Sequence, residues 1–297
     1  MKNRKKNINA ESTEGRGERR ENKPAAIPQS SIPRGFRFAA TACGLKKTGG
    51  LDLGLILADG AATAAAVFTT NLVQAAPVVL SRGHVRRSGA EMRAIVVNSG
   101  NANCSTGPVG MAASEATARG LARELDCRPA QVIVCSTGVI GVPLRVERIL
   151  NQLPALAVAL ESSPKAFQKV ARAIMTTDTR PKWAAAQCRI AGKTVRLIGC
   201  AKGAGMIAPQ MATMLAFVVT DAAIAPPLLQ RALRDVVART FNRITVDGDM
   251  STNDTLAVLA NGTSGASPLR AGTEHYLRFA VALEKLCKKL ALAIVAD

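Results

Sequence analysis

Only two imidazoles, His84 and His275, occur in 297 residues, so other side chains must carry any chemistry this chain performs. There is no G-x-S-x-G turn, H-E-x-x-H helix or G-x-x-x-x-G-K-[ST] loop, which disfavours Ser-His hydrolysis, zinc proteolysis and P-loop phosphoryl transfer. Each histidine reads as an ordinary surface or packing residue. The cysteines at 43, 104, 127, 135, 188, 200 and 287 are odd in number and lack a C-x-x-C pair, which points to neither a disulfide framework nor a metal site. What remains is hydroxyl and amide side chains in glycine-rich or polar turns. One of these, DGDMSTNDT (247–255), has the recurring acids and amides of a calcium loop. It places Thr252 where that loop needs glycine and Val258 where it needs a bidentate Glu, so it reads as a strand-end turn, either structural or bordering a site. Residues 201–221, AKGAGMIAPQMATMLAFVVTD, form a Gly-rich turn, a Pro-containing loop, the small Ala212–Thr213 pair and a buried strand. By pattern alone that is a loop entering the core.

These turns need elements to hold them. LGLILAD (53–59), RAIVVNSG (93–100) and VIVCSTGVIG (132–141) read as strands, and GMAASEATARGLAREL (110–125) as a helix. CRIAGKTVRLIGCAKG (188–203) reads as a hairpin turning at Ala191–Gly192, followed by the strand LAFVVTD (215–221) and the helix PPLLQRALRDVVARTF (226–241). RITVDGD (243–249) and TLAVLANG (255–262) read as strands, and a last helix starts near Glu274. Strands and helices interleave without a repeat, which implies a layered α/β or α+β sandwich. Residues 1–30 lack apolar periodicity and read as a basic, disordered tail.

The composition, 48% apolar and 20% charged, is globular. Apolar stretches fall well short of the ~20 residues that span a bilayer, and no charged-then-apolar signal opens the chain. A cytoplasmic location without membrane partners is expected. The net charge is +18, of which the first 23 residues contribute +4. In the remainder Lys and Arg are dispersed, with almost no aromatics between them for base stacking. That favours attraction of acidic metabolites, or lineage composition, over nucleic-acid binding.

Several motifs occur in one order: GFRFAA (35–40), AAVFTTNLVQAAPV (65–78), NSGNAN (98–103), STGVIG (136–141), TTDT (176–179) with PK close behind, KGAGMIAP (202–209) before MATML (211–215), and FNRITVDGD (241–249) with STNDT (251–255). From about Arg34 to Asp297 the chain resembles the bifunctional glutamate N-acetyltransferase / ornithine acetyltransferase family of arginine biosynthesis. The resemblance implies an α/β (α+β) layered sandwich of the self-cleaving N-terminal-threonine acetyltransferase type. It implies an α-chain region over 31–212 and a β-chain region over 213–297, with autocleavage between Ala212 and Thr213. Thr213 would then be the nucleophile, accepting acetyl from N-acetylornithine and passing it to glutamate; its freed α-amine, with a pKa of ~8, would serve as its own base.

By the same resemblance Thr137 and Gly138 are the oxyanion-hole residues, and Thr176 and Lys202 contact substrate, a cation there suiting carboxylates. Taken alone, each is an ordinary turn or loop residue. Gln210 stands where the family more often has Asn. No cofactor is implied, although acetyl-CoA is a possible co-substrate, and the family assembles as a heterotetramer of two α and two β chains. In the family the final helix runs on into a GEGATK-type segment that supplies an acidic substrate contact, with further Asn and Ser/Thr contacts at the end of the chain. On the resemblance this chain is therefore C-terminally truncated, expected to be poorly stable alone and of doubtful competence. The alternatives are an N-terminal-nucleophile aminopeptidase of related fold, or an inactive fragment or basic binding protein.

Overall fold

The computed structural model describes residues 26–205 and 214–297. Its framework is a sheet in the order β4-β3-β2-β8-β7-β6-β5, with β1 also paired to β2. The strands are β1 (Phe36–Thr41), β2 (Leu53–Phe68), β3 (Met92–Asn101), β4 (Val132–Val139), β5 (Lys182–Ile190), β6 (Lys193–Lys202), β7 (Leu215–Thr220) and β8 (Thr255–Ala260). Strand β2, 16 residues long, holds the framework together. Its first half pairs with β1 and β3, and its second half runs antiparallel to β8 from Thr63↔Ala260 to Phe68↔Thr255. The register shifts between Leu57 and Ala62, where the strand bends from one sheet into the other.

The side-chain alternation of these strands shows why they are hydrophobic on both faces. In β7, Leu215, Phe217 and Val219 enter the core between the two sheets, while Ala216 and Val218 enter a second core beneath helices α6 (Pro226–Arg239) and α7 (Glu274–Val295). In β3, Ile95 and Val97 face the middle core, and Ala94 and Val96 face a third. That third core lies beneath helices α2 (Gly107–Glu124), α3 (Val146–Leu150) and α4 (Leu153–Val158). The result is a helix–sheet–sheet–helix sandwich, with near-continuous apolar strands because each sheet is covered twice. Helix α5 (Pro164–Ala173) plugs the middle core, its Phe167 ring set edge-on to Phe38 at 5.1 Å between centroids.

Local signals explain the element ends. The Ser163 hydroxyl accepts the Ala166 N–H at the start of α5, and the Thr273 hydroxyl accepts the Tyr276 N–H at the start of α7. The β5–β6 hairpin turns at Ala191 and Gly192, both at positive φ, as a two-residue turn of this type requires.

Two expectations need correction. The stretch 243–249 is not a strand: after a 3-10 turn at Phe241–Arg243 the chain is irregular up to β8. β8 is already paired on both edges, by β2 and β7, so an extra strand has no neighbour to join there. The end of the expected tail is also placed, because Ile27 is buried in the middle core and Ser30 O accepts the Arg196 Nε–H at 2.8 Å. Residues 71–88 contain a helix the sequence pattern did not reveal, α1 (Ala76–Ser88), which lies along β4. Among the described residues no helix is long and apolar enough to cross a membrane.

Candidate active site

The parallel strands β3 and β4 end side by side, with Ser99 opposite Thr137 and Gly100 opposite Gly138. Gly138 has φ +134°, and a Cβ on it would lie 2.4 Å from the Gly100 carbonyl carbon. Gly100 in turn has φ +97° and backs onto Leu45, whose carbonyl carbon would be 2.9 Å from an added Cβ. Three backbones are thus stacked at a distance only glycine permits. The loop carrying Leu45 is folded around the buried Asp52 carboxylate, which accepts the N–H groups of Cys43, Leu45 and Lys46 at 2.6, 2.7 and 3.0 Å.

The asparagines of this region tie strand ends together. Asn98 Oδ1 accepts the Ser136 hydroxyl at 2.6 Å, and Asn101 Nδ2 donates to Val142 O at 3.0 Å. Asn253, just before β8, donates to Ala102 O and Ser136 O at 2.7 and 2.9 Å. Within the polar 247–255 turn, read from sequence as either structural or bordering a site, Asn253 does both, and Ser251 and Asn253 line the cavity described next.

That cavity, about 830 Å³, is lined by Thr137, Gly138, Thr176 and Lys202, four residues singled out from sequence and drawn from three separate segments. Lys46, Lys47 and Arg145 line it as well, and among the described residues its lining includes no Asp or Glu. A concave, partly apolar space with four cations and no carboxylate suits a small acidic ligand. Ala212, Thr213 and Gln210 lie outside the described residues. Of the described chain on either side, Gly205 lines the cavity, while Met214 is buried just before β7 with its N–H donated to Asp254 Oδ1 at 2.9 Å.

Two buried ionisable groups border this junction. Burial pushes the Lys202 amine down, against the pull of Asp178 and Asp254. Burial pushes the Asp254 carboxyl up to about 8, against the Met214 N–H, the Lys202 charge and the Ser251 hydroxyl. Among the described residues Asp254 Oδ2 is buried without a hydrogen-bond partner. Asp178 differs: burial alone would raise it, but the Gly203 N–H, the Lys182 ammonium and the Thr176 N–H together hold it below the usual carboxylate value. Asp178, Lys182, Asn253 and Asp254 were not picked out from sequence. The available signal was acids set inside Thr-rich turns, TTDT and STNDT, a pattern shared by many surface turns.

A model of the ArgJ family matches residues 37–297. The arginine biosynthesis bifunctional protein ArgJ of Geobacter sulfurreducens is 50% identical over 264 residues, covering 89% of this chain and 66% of that protein. The chain therefore spans just under two thirds of that relative's length. Among solved structures, a Bacillus halodurans arginine biosynthesis bifunctional protein argJ is 33% identical with a TM-score of 0.58, over 64% of this chain and 97% of that one. An ornithine acetyltransferase of Mycobacterium tuberculosis complexed with ornithine is 32% identical with a TM-score of 0.53, over 62% and 97%. The L-aminopeptidase D-Ala-esterase/amidase of Ochrobactrum anthropi, a variant of the Ntn hydrolase fold, matches 91% of this chain and 87% of its own with a TM-score of 0.54. At 12% identity that likeness bears on the fold alone.

Proposed function

The chain belongs to the ArgJ family, and from that premise we propose that it is an acyltransferase moving acetyl from N2-acetylornithine to glutamate through an acetyl-threonine at Thr213. The observation that carries this reading is the convergence of Thr137, Gly138, Thr176 and Lys202 on one cation-lined cavity beside the chain that leads to Thr213. The name of the Geobacter relative and the ornithine bound to the Mycobacterium enzyme support the substrate class.

In the first step the Thr213 hydroxyl attacks the Ala212 carbonyl carbon. The C–N bond breaks, and an ester joins Ala212 to the Thr213 oxygen. Water cleaves the ester, giving the Ala212 carboxylate and a free Thr213 with its α-amine. In the second step that amine takes the hydroxyl proton as the oxygen attacks the acetyl carbon of N-acetylornithine; ornithine leaves with the proton, and the acetyl-threonine is then aminolysed by glutamate. Each attack develops an oxyanion, for which Thr137 and Gly138 are the donors, worth about 3–4 kcal/mol per donor in comparable sites. Lys202 takes a substrate carboxylate and Thr176 a second polar contact. Acetyl-CoA serves as an alternative donor to glutamate, the cleaved chains pair as two α and two β, and the enzyme acts in the cytoplasm.

The test is intact mass and a denaturing gel beside Thr213→Ala, followed by acetyl transfer between N-acetylornithine and glutamate. Two fragments meeting at Ala212/Thr213, absent in the variant and accompanied by transfer, are expected. One uncut chain in both, without transfer, overturns the proposal.

A further inference from the structure

The Asp178 carboxylate uses both its oxygens on backbone N–H groups of the cavity wall. Oδ2 accepts the N–H of Thr176 at 2.9 Å, and Oδ1 accepts that of Gly203 at 2.7 Å. Gly203 follows Lys202 directly and stands at φ +146°, where the chain leaves the sheet. Oδ1 also takes the Lys182 ammonium at 2.6 Å, and that ammonium is shared with Asp297 Oδ2 at 2.5 Å. The side chains of Asp178, Lys182 and Asp297 are at most 1% exposed. Asp297 in turn accepts the Thr179 N–H at 3.1 Å and its hydroxyl, with Arg180 Nε 3.9 Å away. Two cations and two carboxylates are thus gathered behind the loop 176–180, which bonds back to the end of α7.

We propose that Asp178 is a positioning residue, which sets the placement of Thr176 relative to Lys202 in the cavity wall by holding the N–H groups of Thr176 and Gly203, with Lys182 and Asp297 fixing its orientation. Its bearing on acetyl transfer rests on the function proposed above; its structural content does not. A Lys–Asp pair kept only for stability would need one carboxylate oxygen and no link to the cavity, and buried ion pairs are seldom more stabilising than apolar residues of like volume. Here both oxygens are committed to the backbone of two cavity-lining segments that are distant in sequence. Side chains on those segments inherit their placement from this one group, and catalytic and binding sites are sensitive to displacements of about 1 Å.

Asp178→Asn keeps the volume but turns an N–H₂ toward donors, so at least one of the three bonds must break. Amide hydrogen exchange reads this without any reference to activity. The Thr176 and Gly203 amides should lose protection by about tenfold or more, while strand amides such as Leu197 and Phe217 stay within about twofold. In acetyl transfer, KM for N-acetylornithine should rise about 10- to 100-fold with self-cleavage retained, the loss expected for a charge-assisted contact misplaced. Should Asp178→Asn not fold, Asp178→Glu keeps the charge on Lys182 but cannot seat both amides, and should give a smaller loss of the same selective kind. Uniform loss of protection, or unchanged Thr176 and Gly203 exchange, overturns the proposal. A wild type that neither cleaves nor transfers acetyl would sink the functional reading while leaving the exchange result to decide the positioning.

Discussion

Gly138 lies so close to Gly100 that any side chain on it would collide with main chain: the nearest atoms to an added Cβ are Gly100 C at 2.4 Å and Asn101 N at 2.5 Å. Neither neighbour can yield by rotating a side chain, because both belong to β3. Gly138→Ala should therefore push apart the paired ends of β3 and β4 and displace the Gly138 N–H from the cavity. Self-cleavage and transfer should each slow by about 10²- to 10³-fold, as when one oxyanion donor is removed. Thr137→Ala, which removes a hydroxyl and leaves the backbone alone, should give a similar kinetic loss with an unchanged melting temperature. Gly138→Ala should also lower that temperature. Time courses of fragment appearance beside thermal melts separate the two cases.

Lys202 is 3% exposed and burial holds its amine below its ordinary pKa. A cation kept this dry is unfavourable for folding but effective for recognising a carboxylate. Lys202→Met should keep or slightly raise thermal stability while raising KM for N-acetylornithine about 10- to 100-fold, the worth of one charge-assisted bond. Equal losses in stability and in substrate affinity would instead place Lys202 in the core alone.

The layered sandwich was readable because apolar strands covered on both faces appear as short continuous runs, and the hairpin because Ala191–Gly192 sits between two of them. Helix α1 was hidden for a physical reason: its buried face includes Ser81, His84 and Ser88, so no apolar stripe marks it. The run RITV (243–246) has strand-like residues, but the strand that follows it, β8, is already paired on both sides. Thr137, Gly138, Thr176 and Lys202 were picked out by resemblance, whereas Asp178 and Asp254 act through backbone amides distant in sequence, such as Gly203 and Met214. No local spacing encodes those partnerships.

Asp254 gives a pH dependence with a definite sign. Its carboxyl is raised by burial from the ordinary 3.8 to about 8, so between those values the folded chain holds a proton that the unfolded chain has lost. The protonated form stabilises the fold most fully below the unfolded pKa, and that contribution is lost as pH rises through the folded one. Asp254→Asn is neutral at every pH and can still accept the Met214 N–H. Its stability relative to wild type should therefore rise from pH 4.5 to pH 8 and level off above. Denaturant unfolding of both proteins across that range checks it; a flat difference would mean that Asp254 is ionised in the fold, paired to Lys202.

The edge of β4 is closed by side chains of α1 in place of another strand. The Ser81 hydroxyl donates to Val134 O at 2.7 Å and accepts from Val134 N at 2.8 Å, while His84 Nδ1 meets Val132 O at 2.8 Å. The carbonyl can only accept, so His84 Nδ1 carries the proton. Ser81→Ala would leave a buried N–H and a buried C=O without partners, a loss of about 2–3 kcal/mol. At a few degrees per kcal/mol for a chain of this size, the melting temperature should fall by roughly 5–10 °C. Burial lowers the His84 pKa from 6.5, so the unfolded chain protonates first as pH falls. His84 therefore contributes stability that is complete above pH 6.5 and is lost as pH falls through the folded pKa. His84→Gln should flatten that acid limb, whereas Ser81→Ala should lower stability equally at all pH. Melting curves between pH 5 and 8 for the two variants test whether α1 protects the strand whose far end carries Thr137 and Gly138, and equal pH slopes in wild type and His84→Gln would rule out a buried neutral imidazole there.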